Sequence, residues 1–208
     1  MELNENIRNC PLCHAVQNQS IFMSGINVNA ILGGSDNFLI VPALGPLVVG
    51  HVLAISTEHT AGLQYLSAEV QQRYKRLSVK LRQYCVQFGD SVLEAEHGAH
   101  DGSIRGPCIR HTHIHILPGL GNAAGIFDKR PTLEGARRSS SNSVDSYLWI
   151  NDGNCDAVYD ASRVIGQEIR QAVGEYLRID DWDWAINPKT ALIGLTIEYW
   201  GGINAWLA

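Results

Sequence analysis

His111-Thr112-His113-Ile114-His115-Ile116-Leu117, followed by Pro118-Gly119, sets three histidines at strictly alternating positions inside an otherwise β-branched run. Side chains of successive strand residues point to opposite faces. A strand over 111–117 therefore puts His111, His113 and His115 on one face, about 7 Å apart, and Thr112, Ile114 and Ile116 on the other. The wet face of a half-buried strand ordinarily takes Thr, Lys, Glu or Ser. Three imidazoles in register there point to chemistry rather than to a solvated edge. Positions i, i+2 and i+4 of a strand diverge too far for all three rings to reach one metal ion, so a shared catalytic ion is disfavoured.

Outward from this run, Asn37–Val41 and Gly50–Ser56 read as strands separated by a Pro- and Gly-punctuated loop. Ser67 is a natural N-cap, and Val70, Tyr74, Leu77, Leu81, Tyr84 and Phe88 recur at helical spacing until Gly89 stops them. Residues 91–96 offer a further strand, as do 147–150. Residues 134–144 read as a mobile loop. Ile165, Ile169, Val173 and Tyr176 suggest a second helix within 157–178. The expectation is an α+β fold, an antiparallel sheet with one long helix, over residues 1–120. Residues 121–208 form a C-terminal α/β extension packed on that core.

The 208 residues are 45% hydrophobic and 18% charged, enough for a sizeable core, and the formal net charge is −5. Such a balance excludes general polyanion binding and makes duplex nucleic acid an improbable partner; any phosphate recognition must be local. The polar, acidic start and the lack of an eighteen-residue apolar run predict a cytoplasmic protein with no membrane span. Five cysteines fit a reducing compartment better than a disulfide framework. Two of them form Cys10-Pro11-Leu12-Cys13, which can hold one face of a tetrahedral zinc and leave two positions for histidines such as His59 and His111. The alternative is a pair of reduced, buried thiols.

HTHIHIL resembles the His-φ-His-φ-His-φ-φ signature (φ apolar) of the histidine triad (HIT) superfamily of nucleotidyl hydrolases and transferases, with Thr112 in the first apolar slot. Gly50-His51-Val52-Leu53-Ala54-Ile55 leading to His59 is similar to a second block of that family. So are Cys10-Pro11-Leu12-Cys13, Glu96-His97-Gly98 and the tail around Asp181-Trp182-Asp183-Trp184. The resemblance implies a structural zinc on Cys10, Cys13, His59 and His111. It also implies that His113 attacks the α-phosphorus of a nucleoside 5′-phosphoryl compound while His115 stabilises its oxygens. A neutral imidazole suits that attack because it brings no negative charge toward an anionic phosphate. Hydrolysis of a small nucleotide is the first expectation. Nucleotidyl transfer to phosphate or a sugar phosphate, or a non-catalytic nucleotide-binding module, are the alternatives, and a homodimer is compatible with the resemblance. Gly106-Pro107-Cys108 departs from the family, where Gly-Gln-Ser or Gly-Gln-Thr is common; Arg105 and Arg110 read as solvated rather than as substitutes. His51 is expected to cap a strand outside catalysis, His97 and His100 to be structural or solvated, Cys108 to be a packing residue, and Arg137-Arg138 to lie in a surface loop.

Overall fold

The computed structural model describes residues 9–18, 21–23, 26–28, 31–99, 109–133, 137–138, 145–164 and 166–207. In chain order its elements are α1 (Pro11–Asn18), β1 (Ile21–Met23), β2 (Ile26–Val28), β3 (Gly33–Ser35), β4 (Phe38–Pro42) and β5 (Val52–Ser56). Next come α2 (Ala68–Val86), β6 (Val92–Ala99), β7 (His113–Pro118), β8 (Arg137–Arg138), β9 (Ser146–Asn151) and β10 (Asp156–Asp160). The helices α3 (Glu168–Leu177), α4 (Thr190–Tyr199) and α5 (Ile203–Leu207) complete the chain. One sheet of eight strands runs in the order β3-β4-β5-β7-β6-β9-β10-β8. Every pair in it is antiparallel, and β1 with β2 forms a separate hairpin. The expected α+β class and antiparallel sheet are what the chain adopts. No described helix is long and apolar enough to cross a membrane.

The alternation in β7 decides which layer covers which face. Ile114 and Ile116 join Val52, Ala54, Tyr74, Leu77, Leu81 and Tyr84 in a cluster under α2. The three- and four-residue spacing of the α2 members is the apolar stripe of an amphipathic helix, and each large side chain buried there contributes about 2 kcal/mol. Ser67 Oγ accepts the Val70 N–H at 3.3 Å, the cap foreseen from sequence. Below the helix, buried Glu94 of β6 accepts hydrogen bonds from Tyr74 Oη (2.5 Å) and Ser78 Oγ (2.6 Å) and pairs with Arg82 Nε at 2.7 Å. A buried carboxylate satisfied on every side pins α2 to the sheet.

The opposite face carries His113, His115 and Leu117. Leu93, Ala95, Leu117, Leu148 and Ile150 pack there with Ile169, Ala172 and Val173 of α3. Residues on both sides of position 120 therefore share the sheet and this apolar cluster.

Three expectations need correction. Paired strand begins at His113, not His111. The His111 N–H turns back to the Ile109 carbonyl at 2.9 Å, and Thr112 is drawn to the loop after β5, its N–H donating to the Thr60 carbonyl at 2.7 Å. The second helix covers only Glu168–Leu177 of the span 157–178. Asp156–Asp160 instead pairs with β9, because Asp152 Oδ1 accepts the N–H groups of Asn154 and Cys155 and closes a hairpin turn with Gly153 at φ 90°. Within the expected loop 134–144, Arg137 and Arg138 pair with Tyr159 and Val158 as β8; the remainder lies outside the described residues.

Candidate active site and metal centre

Cys10 and Cys13 stand at the start of α1, where the His14 N–H donates to the Cys10 carbonyl at 3.1 Å and turns both thiols to one side. That side meets the exit of β5 and the entry of β7. Cys13 Sγ lies 3.1 Å from His59 Nδ1 and 3.5 Å from His111 Nδ1, and Cys10 Sγ lies 3.5 Å from the same His111 nitrogen. The four ligand atoms all fall within 4.8 Å of one another. A tetrahedral zinc with ordinary Zn–S and Zn–N bonds sets neighbouring S and N atoms about 3.5 Å apart, so the donor set fits. The tautomer fits too. His111 Nε2–H donates to the Ser56 carbonyl at 2.7 Å, which leaves the Nδ1 lone pair for a metal. Burial, with Cys10 alongside, pushes the Cys13 thiol up to about 12, so a cation is needed to keep it a thiolate at neutral pH. Four protein ligands leave no open position for an activated water.

Beyond His111 the geometry divides the triad into different tasks. His113 Nδ1 is 2.6 Å from the His111 carbonyl; it must donate there, so its Nε2 carries the lone pair. Nε2 has no partner among the described residues. His115 is set by a longer chain. The Leu47 N–H donates to His51 Nδ1 at 3.1 Å, which makes His51 a donor at Nε2, and that nitrogen lies 2.9 Å from His115 Nδ1. His115 therefore accepts at Nδ1 and presents an N–H at Nε2. One face of β7 thus offers a lone pair on His113 and, with ring centroids 5.6 Å apart, a donor on His115.

The two rings open into a pocket walled by Leu12, Leu44, Leu53, Ile109 and Trp184, with His97 and the first turn of α3 from Gln167 to Arg170. Burial lowers the proton affinity of His113, only partly offset by its bond to the His111 carbonyl, and that of His115 more strongly, helped by His51, His113 and Arg170. Both rings are neutral at neutral pH. The wall is built by close approach of distant segments. Gly45 has φ 57°, and a Cβ there would stand 2.9 Å from Trp184 Cα and 2.7 Å from the Asn187 carbonyl oxygen.

All six residues singled out from sequence as ligands or catalysts fall in these two adjoining clusters: Cys10, Cys13, His59 and His111 in one, His113 and His115 in the other. His97, expected to be structural or solvated, is buried, lies 3.1 Å from Ser146 Oγ through its Nε2, and also lines the pocket. Arg110 is exposed, as expected. His100, Arg105, Pro107 and Cys108 lie outside the described residues. His51, set aside as a strand cap, does bond to backbone but also fixes His115. Its burial and its 2.9 Å contact with His115 Nδ1 were not readable from the Gly-His dipeptide. Arg170 was not singled out, and Trp184 was noted only as part of the Asp181–Trp184 tail, since nothing local marks either as a pocket residue.

No protein-family model and no curated protein matches the chain. Solved structures similar to it include a hypothetical protein from Leishmania major, at 23% identity over 53% of this chain and 73% of that one with a TM-score of 0.41. A Hit-like protein from Bartonella henselae shares 17% identity over 56% of this chain and 79% of its own, with a TM-score of 0.42. A zinc-bound histidine triad family protein from Mycobacterium smegmatis shares 18% identity over 54% of this chain and 76% of its own, with a TM-score of 0.37. At such similarity, function has to come from the side chains themselves.

Proposed function

We propose that this chain is a zinc-stapled nucleotidyl hydrolase of the histidine triad type. One observation carries the reading: the hydrogen bond from His113 Nδ1 to the His111 carbonyl, 2.6 Å, which leaves Nε2 as a neutral nucleophile facing the pocket. The Nε2 lone pair forms a bond to the α-phosphorus of a nucleoside 5′-phosphoryl compound. The bond from phosphorus to the leaving group breaks, and that group departs with the electron pair. Water then attacks the same phosphorus, the N–P bond breaks back to neutral His113, and a nucleoside monophosphate and a proton are released. His115 Nε2–H, aimed by the Leu47–His51 chain, donates to an oxygen of the phosphoryl group as its charge grows. The apolar wall with Trp184 takes the base.

Zinc on Cys10, Cys13, His59 and His111 would supply folding energy rather than chemistry, holding the His111 carbonyl against His113. Turnover in ¹⁸O-water of adenylyl, guanylyl and uridylyl substrates, each as anhydride and as amidate, tests the reading. We expect one ¹⁸O in the released monophosphate, with turnover falling at least about a thousandfold in His113→Ala. A parent that turns over no substrate, or a His113→Ala protein that retains turnover, would sink it.

A further inference from the structure

One charged group in the pocket takes no part in the histidine chain. Arg170, in the first turn of α3, is 4% exposed and is the lone cation among the described residues of the wall. Its Nε donates to the Trp182 carbonyl at 2.9 Å and its Nη2 to the Gly45 carbonyl. These neutral acceptors fix the plane of the guanidinium and leave its charge uncompensated. Nη1 makes no hydrogen bond to the described residues, and no carboxylate among them stands within ion-pairing distance. The neighbouring Glu168 is taken by Arg130, while Asp183, which attracts Arg170 from farther off, accepts from Gln167 Nε2 at 3.2 Å and the Ala185 N–H at 2.9 Å. Burial brings the guanidinium down only to about 10, so it stays charged at neutral pH. A guanidinium this buried ordinarily faces an anion.

Two further features favour the same charge. The N-cap of α3, Gln167, makes no side-chain cap hydrogen bond, so the first-turn amides and the positive end of the helix dipole lie beside Arg170 without a side-chain cap among the described residues. Arg170 lines the same pocket as His113 and His115, and its positive charge adds to the lowered proton affinity of His51 and His115. In a chain of net charge −5, an anion needs a local cation of this kind.

We propose that Arg170 is the phosphate-holding residue of the pocket, with Nη1 and the first-turn amides of α3 gripping non-bridging oxygens of a nucleoside 5′-phosphate. This deepens the hydrolase reading and rests on it for the identity of the pocket's ligand. The test compares affinities of the full chain for adenosine, guanosine and uridine with those for their 5′-monophosphates. The parent is expected to bind the preferred monophosphate at least about thirtyfold tighter than its nucleoside. In Arg170→Gln that gap falls below about threefold while the nucleoside's affinity is kept. A parent with no gap, or an Arg170→Gln protein that keeps it, overturns the proposal. Because Arg170 also ties Gly45 to Trp182, Arg170→Lys provides a variant that keeps the charge on a single donor nitrogen. Its gap is expected to shrink about fivefold or more for want of the fork, and an unchanged gap counts against the proposal. Turnover is read separately: a gap abolished by Arg170→Gln in a parent that never turns over would leave the anion site standing and remove the hydrolase.

Discussion

His113 owes its role to a bond made two residues upstream. The His111 carbonyl accepts its Nδ1–H, and the same residue's ring faces the two thiols, so a single backbone unit couples the candidate metal to the candidate nucleophile. The consequence for pH dependence follows from the direction of the shift. Burial lowers the proton affinity of His113 below the ordinary imidazole value, so activity is kept as pH falls through 6.5 and is lost only below the lowered value. An unperturbed imidazole would be only about one-tenth neutral at pH 5.5. kcat/KM is expected to fall by less than the roughly eightfold loss of an unperturbed imidazole between pH 7 and 5.5; a loss that large or larger, with the fold intact by circular dichroism, would place the nucleophile elsewhere. His115 and His51 reinforce this, since both are pushed lower still and neither carries charge toward His113.

At the scale of elements, the site is a meeting of three short pieces: the start of α1, the exit of β5 and the entry of β7. β5 and β7 are already joined by backbone hydrogen bonds, but without the metal α1 is held to them by apolar contacts among Leu12, Ala15, Val41, Leu44, Ile55 and Ile193. Zinc analysis of the purified protein is expected to give about one ion per chain, and Cys13→Ser should lower the melting temperature by about 10 °C, corresponding to about 3 kcal/mol. A metal-free protein that melts at the temperature of the loaded one would contradict a structural role for metal at Cys10, Cys13, His59 and His111. β4, β5, β6, β7, β9 and α2 were legible because their apolar patterns are bounded by clear stops, Ser67 and Gly89 for the helix, Gly119 with φ 79° for β7; β1, β2, β3 and β8, two or three residues each, are too short to show a period. β10, the second strand of the β9–β10 hairpin, fell largely within the span read as helix because Ile165, Ile169, Val173 and Tyr176 keep helical spacing just beyond it. The signal that separates the two, Asp152-Gly153, lay in the sequence, and its turn is made by the Asp152 side chain.

For the whole molecule, the candidate chemistry of residues 10–115 was readable because histidines and cysteines are scarce and their spacing is informative. The wall of the pocket was not. Gly45, Arg170 and Trp184 meet only after the chain has crossed the sheet and returned, and no local pattern records a contact between residues 125 positions apart. An acidic protein thus hides its local cation in the segment least expected to bear on chemistry, at the start of α3. In the proposed function, wall and histidines together form a pocket whose nucleotide ligand bonds to one nitrogen, His113 Nε2. Intact-protein mass measurement of the parent and His113→Ala, quenched without acid seconds after mixing with the nucleotidyl substrates, tests that bond directly. A mass increase equal to one nucleoside monophosphate residue, present in the parent and missing in His113→Ala, is expected. Monophosphate released with no adduct at any time, or an adduct that survives in His113→Ala, would contradict a covalent intermediate on His113.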